Sequence, residues 1–159
     1  MIFKTGLGQD SHKFDLQKEK PLILGGVKID SDYSLSGNSD ADVVLHALTN
    51  AVSSITGKNI IGKYSDQLCN EEGITDSAVY LEHSLRDLND HKLVNIAISI
   101  ECKTPFISPH IDKMKERISE LTKVSFSNIG ITATSGEGLT DFGRGKGIQA
   151  IVIITVKQE

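Results

Sequence analysis

Apolar residues recur at helical spacing in three stretches of the chain. A stripe along residues 39–56 predicts a first helix, and Gly57 is the residue at which this helix is expected to end. A similar stripe along residues 77–88 predicts a second helix. A third helix is expected to begin at Pro109, because proline is favoured in the first turn.

Polar residues mark where two of these helices begin. Ser39 and Asp42, three residues apart, match the spacing of an N-terminal capping pair for the first helix. Either Thr75 or Asp76 caps the second helix. Residues 59–73 lie between the two helices and show no clear period, so we expect a loop there.

Strand patterns occupy much of the remaining chain. Residues 93–102 alternate between apolar and polar positions, which is typical of a half-buried strand. The other predicted strand segments are residues 2–9, 21–29, 129–134 and 147–156. The chain is therefore predicted to be an α+β protein, a single small domain over residues 1–159 with a mixed sheet covered by about three helices.

Composition narrows the class of protein. The 159 residues carry a net charge of −4 without a lysine- or arginine-rich stripe, so we expect no nucleic-acid partner. No window reaches the roughly 18 apolar residues of a membrane span, and the N-terminal residues lack the apolar stretch of a secretory signal. A cytoplasmic protein without a membrane partner is therefore expected, with Cys69 and Cys102 as free thiols.

One acidic and two imidazole side chains have the spacing of a metal site. Asp10 and His12 are two residues apart in a segment predicted to be extended, so both side chains point to the same face. His46, on the first predicted helix, can supply a third ligand if that helix packs on the strand. Three protein ligands leave a fourth position for substrate, as in catalytic zinc sites. In the alternative interpretation, His46 is a hydrogen-bonded core residue.

Asp42 lies four residues before His46, which is about one turn of helix. It can accept a hydrogen bond from the ring of His46 and fix the tautomer of that ring. It can also be an acid that the helix dipole favours at the N-terminus, and this second role is the preferred interpretation.

Five separated segments, in order along the chain, match one known family. The segments are residues 6–12 (GLGQDSH), 24–27 (LGGV), 39–49 (SDADVVLHALT), 133–137 (ATSGE) and 143–148 (GRGKGI). By these segments the chain resembles the 2-C-methyl-D-erythritol 2,4-cyclodiphosphate synthase family over essentially its whole length. Several separated motifs in order are far more specific than any one of them.

This resemblance implies a reaction, a set of metal ions and an assembly. The reaction is that of a phosphorus–oxygen lyase, which converts 4-diphosphocytidyl-2-C-methyl-D-erythritol 2-phosphate to 2-C-methyl-D-erythritol 2,4-cyclodiphosphate and CMP in non-mevalonate isoprenoid biosynthesis. The resemblance places zinc on Asp10, His12 and His46, and a second divalent ion, magnesium or manganese, near Glu137. It also implies a homotrimer around a central axis, with active sites between subunits.

The resemblance also marks residues for catalysis and substrate binding. The catalytic positions are Asn38 and Ser135. The substrate-binding positions are Asp10, His12, Asn38, Ser39, Ile60, Gly62, Asp66, Lys103, Thr134, Ser135, Glu137 and Arg144. Backbone N–H groups at the helix start near Ser39 are expected to face a phosphate. Arg144 contacts either a phosphate or, in the preferred interpretation, an acid across a subunit interface.

Some of these positions depart from the usual residues of the family. Asn38 stands where a histidine is usual, and an asparagine can donate a hydrogen bond but carries no charge. Ile60 stands where a carboxylate holds the hydroxyls of the sugar alcohol, so Asn59 or Asp66 would have to replace it. Lys103 is expected to supply the cation that the family usually places three residues further along in its nucleotide-binding stretch, where this chain has Phe106.

Two other functions stay open. A zinc-dependent phosphoesterase would use the open metal position to activate water. A non-catalytic trimeric binding protein would account for the departures at Asn38 and Ile60. The products formed from the diphosphate substrate distinguish all three functions.

Overall fold

A computed structural model describes residues 1–158, which form seven strands and four α-helices. The strands are β1 (Phe3–Asp15), β2 (Leu22–Leu24), β3 (Val27–Ile29), β4 (Ser34–Leu35), β5 (His91–Glu101), β6 (Ile129–Thr134) and β7 (Gly147–Gln158). The helices are α1 (Val43–Thr56), α2 (Lys63–Glu72), α3 (Ser77–Arg86) and α4 (Ile111–Thr122).

Five of the strands form one mixed sheet in the order β4–β1–β7–β5–β6. β5 and β6 run parallel, and the other neighbours are antiparallel. β2 and β3 form a separate hairpin, whose turn at Gly25 and Gly26 needs the positive φ angles of 58° and 73° that glycine adopts readily. The α+β class and the mixed sheet are therefore confirmed, and the predicted strand at residues 21–29 is a hairpin of two short strands.

The helices cover one face of the sheet, and a single main core lies between them. α1 lies directly on β1 because two residues of that strand, Gly6 and Gly8, have no side chain. A Cβ atom at Gly8 would overlap the backbone of Ala47 and Ala51 in α1. This close contact places the first turn of α1, where His46 lies, beside Asp10 in the C-terminal half of β1.

The opposite face of the sheet carries exposed apolar side chains. Odd-numbered residues of β1 and β7 point to this face, since side chains alternate along a strand. Leu7, Ile151 and Ile153 are 60%, 38% and 45% exposed there. We call these three residues, together with Ala97 and Ser99 of β5, the uncovered face.

The predicted loop at residues 59–73 is wrong, because it contains α2, and the helix count is four instead of about three. α2 has no apolar stripe to find: only Ser65 and Leu68 are buried. Its N-cap residue is Gly62, whose backbone both donates to and accepts from the hydroxyl of Ser65. Leu68 packs in a small second cluster with Ile60 and Tyr80.

The predicted start of the first helix is also wrong. α1 begins at Val43, so Ser39 lies outside it, and Asp42 alone is the N-cap residue. Ala41, just before the helix, has a φ angle of 55°, which is not helical. The expected helical N–H donors at Ser39 therefore do not exist. Of the two candidates for the second cap, Asp76 is the N-cap of α3.

Two strand boundaries differ from expectation. β1 continues to Asp15, so the predicted strand at residues 2–9 and the extended segment of Asp10 and His12 form one longer strand. In β5 a bulge between Leu93 and Asn95 interrupts the alternation, which buries both Leu93 and Ile96. Both cysteines are free thiols, as predicted. Among the described residues, no helix has the length and apolar character required to cross a membrane.

Candidate metal centre

Three metal-ligating side chains meet where α1 lies on β1. Asp10 Oδ2 lies 3.0 Å from His12 Nε2 and 3.0 Å from His46 Nδ1. The two ring nitrogens are 3.3 Å apart. The three atoms form a nearly equilateral triangle that can hold a metal ion, as the spacing of Asp10 and His12 predicts.

The size of this triangle fits a tetrahedral ion. Zinc bonds to nitrogen and oxygen are about 2.0–2.1 Å long, so two ligands of a tetrahedral site lie about 3.3–3.4 Å apart. The observed edges are 3.0, 3.0 and 3.3 Å, which is within a few tenths of an ångström. One oxygen and two nitrogens are a donor set that zinc and similar divalent ions accept.

A hydrogen bond behind His12 orients its ring. The Nδ1 atom lies 2.7 Å from the carbonyl oxygen of Ser36, which can only accept, so Nδ1 of the neutral ring carries the hydrogen. The Nε2 lone pair therefore points into the triangle, as a metal ligand requires. Lys20 holds the loop that follows Ser36, because its Nζ donates to the carbonyls of Gly37 and Ser39 at 2.6 Å each.

The charges at the triangle favour a bound cation. Burial raises the pKa of Asp10, but without a metal the protonated rings of His12 and His46 can donate to its carboxylate, which outweighs burial and holds that pKa at about 2. Burial lowers the pKa of His12, but the contact with Asp10 outweighs burial and raises it. Asp10 is therefore an anion at neutral pH, which is the form that ligates a metal.

A cavity of about 280 Å³ opens onto the triangle. Its lining residues are Asp10, His12, Gly37, Asn38, Ser39, His46, Ile61, Gly62, Ser65, Asp66, Cys69 and Tyr80. The cavity thus brings together the metal-ligating side chains and four predicted substrate-binding residues, Asn38, Ser39, Gly62 and Asp66. A larger cleft of about 610 Å³ along residues 18–22 and 28–31 contains none of the predicted site residues.

Ile60 does not line this cavity. Its side chain is buried against Leu68 and Tyr80, so the next residue, Ile61, takes the place at the cavity wall. Asn59 is exposed and is also absent from the lining, whereas Asp66 is part of it. Of the two candidates to replace the missing carboxylate, Asp66 is therefore the one positioned beside the cavity.

The remaining predicted residues lie elsewhere on the same chain. Lys103, Thr134 and Ser135 line a separate cavity of about 100 Å³ at the ends of β5 and β6. In the sheet, Asp10 is opposite Ala150, Ala150 is opposite Ile100, and Ile100 is opposite Ala133. Three strand spacings of about 4.8 Å separate β1 from β6 by about 14 Å. Within one chain, the residues at the triangle and the residues at the ends of β5 and β6 therefore do not line a common cavity.

Glu137 lies in an exposed turn that follows β6. Its φ angle of 49° is unusual for a residue other than glycine, and its N–H donates to the hydroxyl of Ser135 at 3.4 Å. Arg144 is exposed and pairs with Asp141 of the same chain at 2.8 Å. Arg144 therefore has an acidic partner within its own chain. The predicted contact of Arg144 with an acid across a subunit interface stays a prediction.

The N-terminal role of Asp42 is confirmed. Its carboxylate accepts from the backbone N–H groups of Val44 and Leu45 in α1, and also from those of Gly25 and Gly26. Burial raises the pKa of Asp42 to about 6, although these hydrogen bonds act in the opposite direction. All its described side-chain bonds go to backbone groups, so it does not orient the ring of His46.

Sequence reasoning missed several residues around the triangle. Cys69 and Tyr80 line the cavity, and Cys69 donates to the carbonyl of Asn38 at 3.1 Å. Both come from α2 and α3, at positions without any motif. Lys20 acts through its contacts with a loop distant in sequence. No local signal identifies such residues, because their roles arise only when the elements pack.

The fold and the triangle together define an α+β protein with a candidate metal centre that opens onto a cavity. The YgbB family model matches residues 3–157. The chain therefore belongs to the YgbB family, and its curated relatives carry the name 2-C-methyl-D-erythritol 2,4-cyclodiphosphate synthase. This agrees with the family indicated by the five sequence segments.

Similar proteins are found among both sequences and solved structures. The relative from Chlamydia muridarum is 43% identical over 99% of this chain and 89% of its own length. The relative from Chlamydia felis is 41% identical over 99% of this chain and 90% of its own length. Both bear the synthase name.

Two solved structures share the fold and some of the sequence. The bifunctional IspDF from Campylobacter jejuni has a TM-score of 0.90 and 26% identity over 99% of this chain, which spans 43% of that longer chain. A CDP-bound form of 2C-methyl-D-erythritol-2,4-cyclodiphosphate synthase has a TM-score of 0.81 and 26% identity over 97% of this chain and 100% of its own.

Proposed function

We propose that the chain converts 4-diphosphocytidyl-2-C-methyl-D-erythritol 2-phosphate to 2-C-methyl-D-erythritol 2,4-cyclodiphosphate and CMP. An oxygen of the 2-phosphate attacks the β-phosphorus, the bond from that phosphorus to the oxygen of the α-phosphate breaks, and CMP leaves. The observation that carries the proposal is the triangle of Asp10, His12 and His46 beside a cavity, in a chain 43% identical to a protein bearing the synthase name.

The reaction needs the charges of the substrate to be neutralised, because both reacting phosphates are anions. We assign zinc to Asp10, His12 and His46, since the donor set and the edges of the triangle suit a tetrahedral ion. Bound there, zinc would supply one open position and positive charge for a phosphate oxygen. The ring orientation of His12, fixed by Ser36, keeps the ligands in place for it.

The cavity residues would hold the substrate folded for attack. The side-chain amide of Asn38 can donate to a phosphate oxygen, and Asp66 can accept from the hydroxyls of the sugar alcohol. Ile61 and the largely buried Tyr80 add apolar wall to the cavity. This wall would limit the access of water, whose attack would give a linear product. Holding the substrate folded would keep the 2-phosphate oxygen close to the β-phosphorus of the same molecule and aligned for attack, so the conformational freedom of the chain is lost on binding and not during the reaction.

A second divalent ion, magnesium or manganese, is proposed at Glu137. A carboxylate would suit a hard divalent cation, which would neutralise negative charge on the diphosphate. The positive φ of Glu137 and the glycines on both sides of it form an exposed turn, where phosphate oxygens can approach closely. The charge of Glu137 would repel the diphosphate unless a cation lay between them, so this ion is expected to bind with the substrate.

We infer that the active site forms between subunits of a homotrimer. The cavity volume of about 280 Å³ is below the roughly 300–1,000 Å³ of typical ligand pockets, so it holds only part of a CDP-linked substrate. The second group of predicted residues, Lys103, Thr134, Ser135 and Glu137, lies about three strands away on the same chain. A neighbouring copy can bring its own second group to the cavity if the sheets pack through the uncovered face.

The products of the reaction test this proposal against the two alternatives. The zinc-loaded protein with magnesium is incubated with the diphosphate substrate, and the products are followed by ³¹P NMR. A cyclodiphosphate with equimolar CMP is expected. A linear hydrolysis product would establish the phosphoesterase instead. Tight binding of the substrate without any product would establish the binding protein.

A further inference from the structure

A chain of hydrogen bonds extends from His46 away from the metal centre. Ser77 Oγ lies 2.7 Å from His46 Nε2, the ring nitrogen that does not face Asp10. The same hydroxyl makes a short hydrogen bond to the carboxylate of Asp40. Ser77 is fully buried and is the first residue of α3. A buried polar side chain thus links the candidate ligand to a carboxylate.

The direction of these bonds follows from what each group can donate. A carboxylate only accepts, so the single hydroxyl hydrogen of Ser77 is donated to Asp40. The Ser77 oxygen must then accept the hydrogen on His46 Nε2. In the neutral ring, Nδ1 is left with its lone pair, and it faces Asp10 Oδ2 at 3.0 Å. This is the tautomer in which His46 can ligate a metal.

Asp40 is itself held on several sides. Its Oδ1 accepts from the N–H of Asp42 at 3.1 Å, and its Oδ2 accepts from the N–H of Ser77 at 3.0 Å. Its own N–H donates to the carbonyl of Thr75 at 2.9 Å. Asp40 therefore joins the residue that caps α1 to the first residue of α3, and its carboxylate cannot turn away from Ser77 without losing hydrogen bonds from backbone N–H groups.

We propose that Ser77 and Asp40 are positioning residues for the metal ligand His46. They fix its tautomer and ring orientation, and they connect α3 to the metal centre. The proposal rests on the zinc site assigned under the proposed function. The Ser36 carbonyl orients the ring of His12 in the same way, through a hydrogen bond to the ring nitrogen that faces away from the metal centre. Hydrogen bonds of this kind behind metal-bound histidines typically change metal affinity by about 10–100-fold.

The test is the zinc dissociation constant, measured by competition with a chromophoric chelator. Ser77→Ala is expected to weaken zinc binding about 10–100-fold relative to wild type. Ser77→Thr keeps the hydroxyl and is expected to recover most of the affinity. The matched control is Ser84→Ala, since Ser84 is also buried in α3 but donates to the carbonyl of Leu81 at 2.7 Å. Its zinc affinity should stay at the wild-type value.

A second readout separates positioning from a general loss of structure. In zinc-loaded wild type, the His46 Nε2–H should give a ¹H–¹⁵N signal protected from exchange with water. Ser77→Ala should remove that protection, while Ser84→Ala should keep it. Thermal melting of the metal-free wild type and of both variants measures whether either substitution lowers the stability of the fold.

Two results would overturn the proposal in distinguishable ways. If wild type binds one zinc and Ser77→Ala binds it equally tightly, or if Ser84→Ala weakens binding as much, then Ser77 has no positioning role. If wild type itself binds no zinc, the metal centre of the proposed function fails, and the positioning role fails with it.

Discussion

At the scale of single residues, two buried or partly buried aspartates of this protein differ in what their oxygens face. Asp42 accepts four backbone N–H groups, so its charge is satisfied by the chain itself. Asp10 Oδ2 faces two imidazole nitrogens instead. When both rings present lone pairs, three acceptors lie about 3 Å apart, and their repulsion is relieved by a shared cation or by protonation of a ring. Asp42 therefore stabilises the fold, whereas Asp10 is available to the candidate metal centre.

The first prediction concerns His46. His46→Ala is expected to lose zinc and turnover, because the two remaining ligands do not close a tetrahedral site. Zinc content is measured by mass spectrometry of the dialysed protein. His110→Ala is the control, since His110 ends a short 3₁₀ turn outside the cavity and should retain one zinc. Stoichiometric zinc in His46→Ala would remove this residue from the ligand set.

At the scale of elements, close packing of α1 on β1 creates the site. The contact depends on Gly8, where a Cβ atom would meet the backbone of Ala47 and Ala51, not a movable side chain. A shift of α1 would also move His46, which lies one residue before Ala47. The stability of this contact and the geometry of the metal centre are therefore linked.

The second prediction follows from that contact. Gly8→Ala is expected to lower the free energy of unfolding by about 3 kcal/mol and to weaken zinc binding, because α1 must move off β1. Chemical denaturation and the zinc affinity measure both effects. Gly130→Ala is the matched control, since Gly130 is also a strand glycine and an added Cβ meets no atom of the same chain within 4 Å. Equal losses in the two variants would contradict this account.

Sequence patterns predict elements well where one face is deeply buried. α1 and β5 were identified because their apolar residues repeat at the period of the element. α2 was missed because Leu68 is its one buried apolar residue, and its start depends on an exchange of hydrogen bonds between Gly62 and Ser65. The end of β1 at Asp15 was missed because its residues there are mostly polar.

The residues of the candidate metal centre were predictable only in part, because only some of them lie on one element. Asp10 and His12 lie on one strand, so their spacing fixes their common direction. The ligand role of His46 depended on how the first helix packs on that strand, so the pattern left a core role open as well, and the family resemblance favoured the ligand role. Lys20, Ser36 and Ser77 hold this site through contacts between elements distant in sequence, and no local pattern records such contacts.

At the scale of the whole molecule, the proposed assembly would account for both the uncovered face and the separation of the predicted site residues. Leu7, Ile151 and Ile153 expose apolar surface on the sheet, and the predicted residues form two groups at different strands. Exposed apolar patches of this kind are typical of protein–protein interfaces. Packing of copies through this face would bury the patch and complete each site at once.

The third prediction is the assembly itself. Light scattering should give about three times the chain mass of 17.3 kDa, because the proposed assembly is a closed cyclic trimer. Ile153→Lys places a charge on the uncovered face and should yield smaller species. Leu16→Lys is the control, since Leu16 is exposed in the turn after β1 and should not affect the mass. A wild-type monomer with full activity would rule out shared sites.

The most direct test of the account mixes two inactive variants of the chain. His46→Ala lacks a metal ligand and Glu137→Gln lacks the proposed second-metal ligand, so each alone should form almost no cyclodiphosphate. If each active site takes its metal triangle from one subunit and its Glu137 from a neighbour, unfolding and refolding an equal mixture should restore about a quarter of wild-type turnover. Turnover that stays at the level of the separate variants would contradict a site shared between subunits.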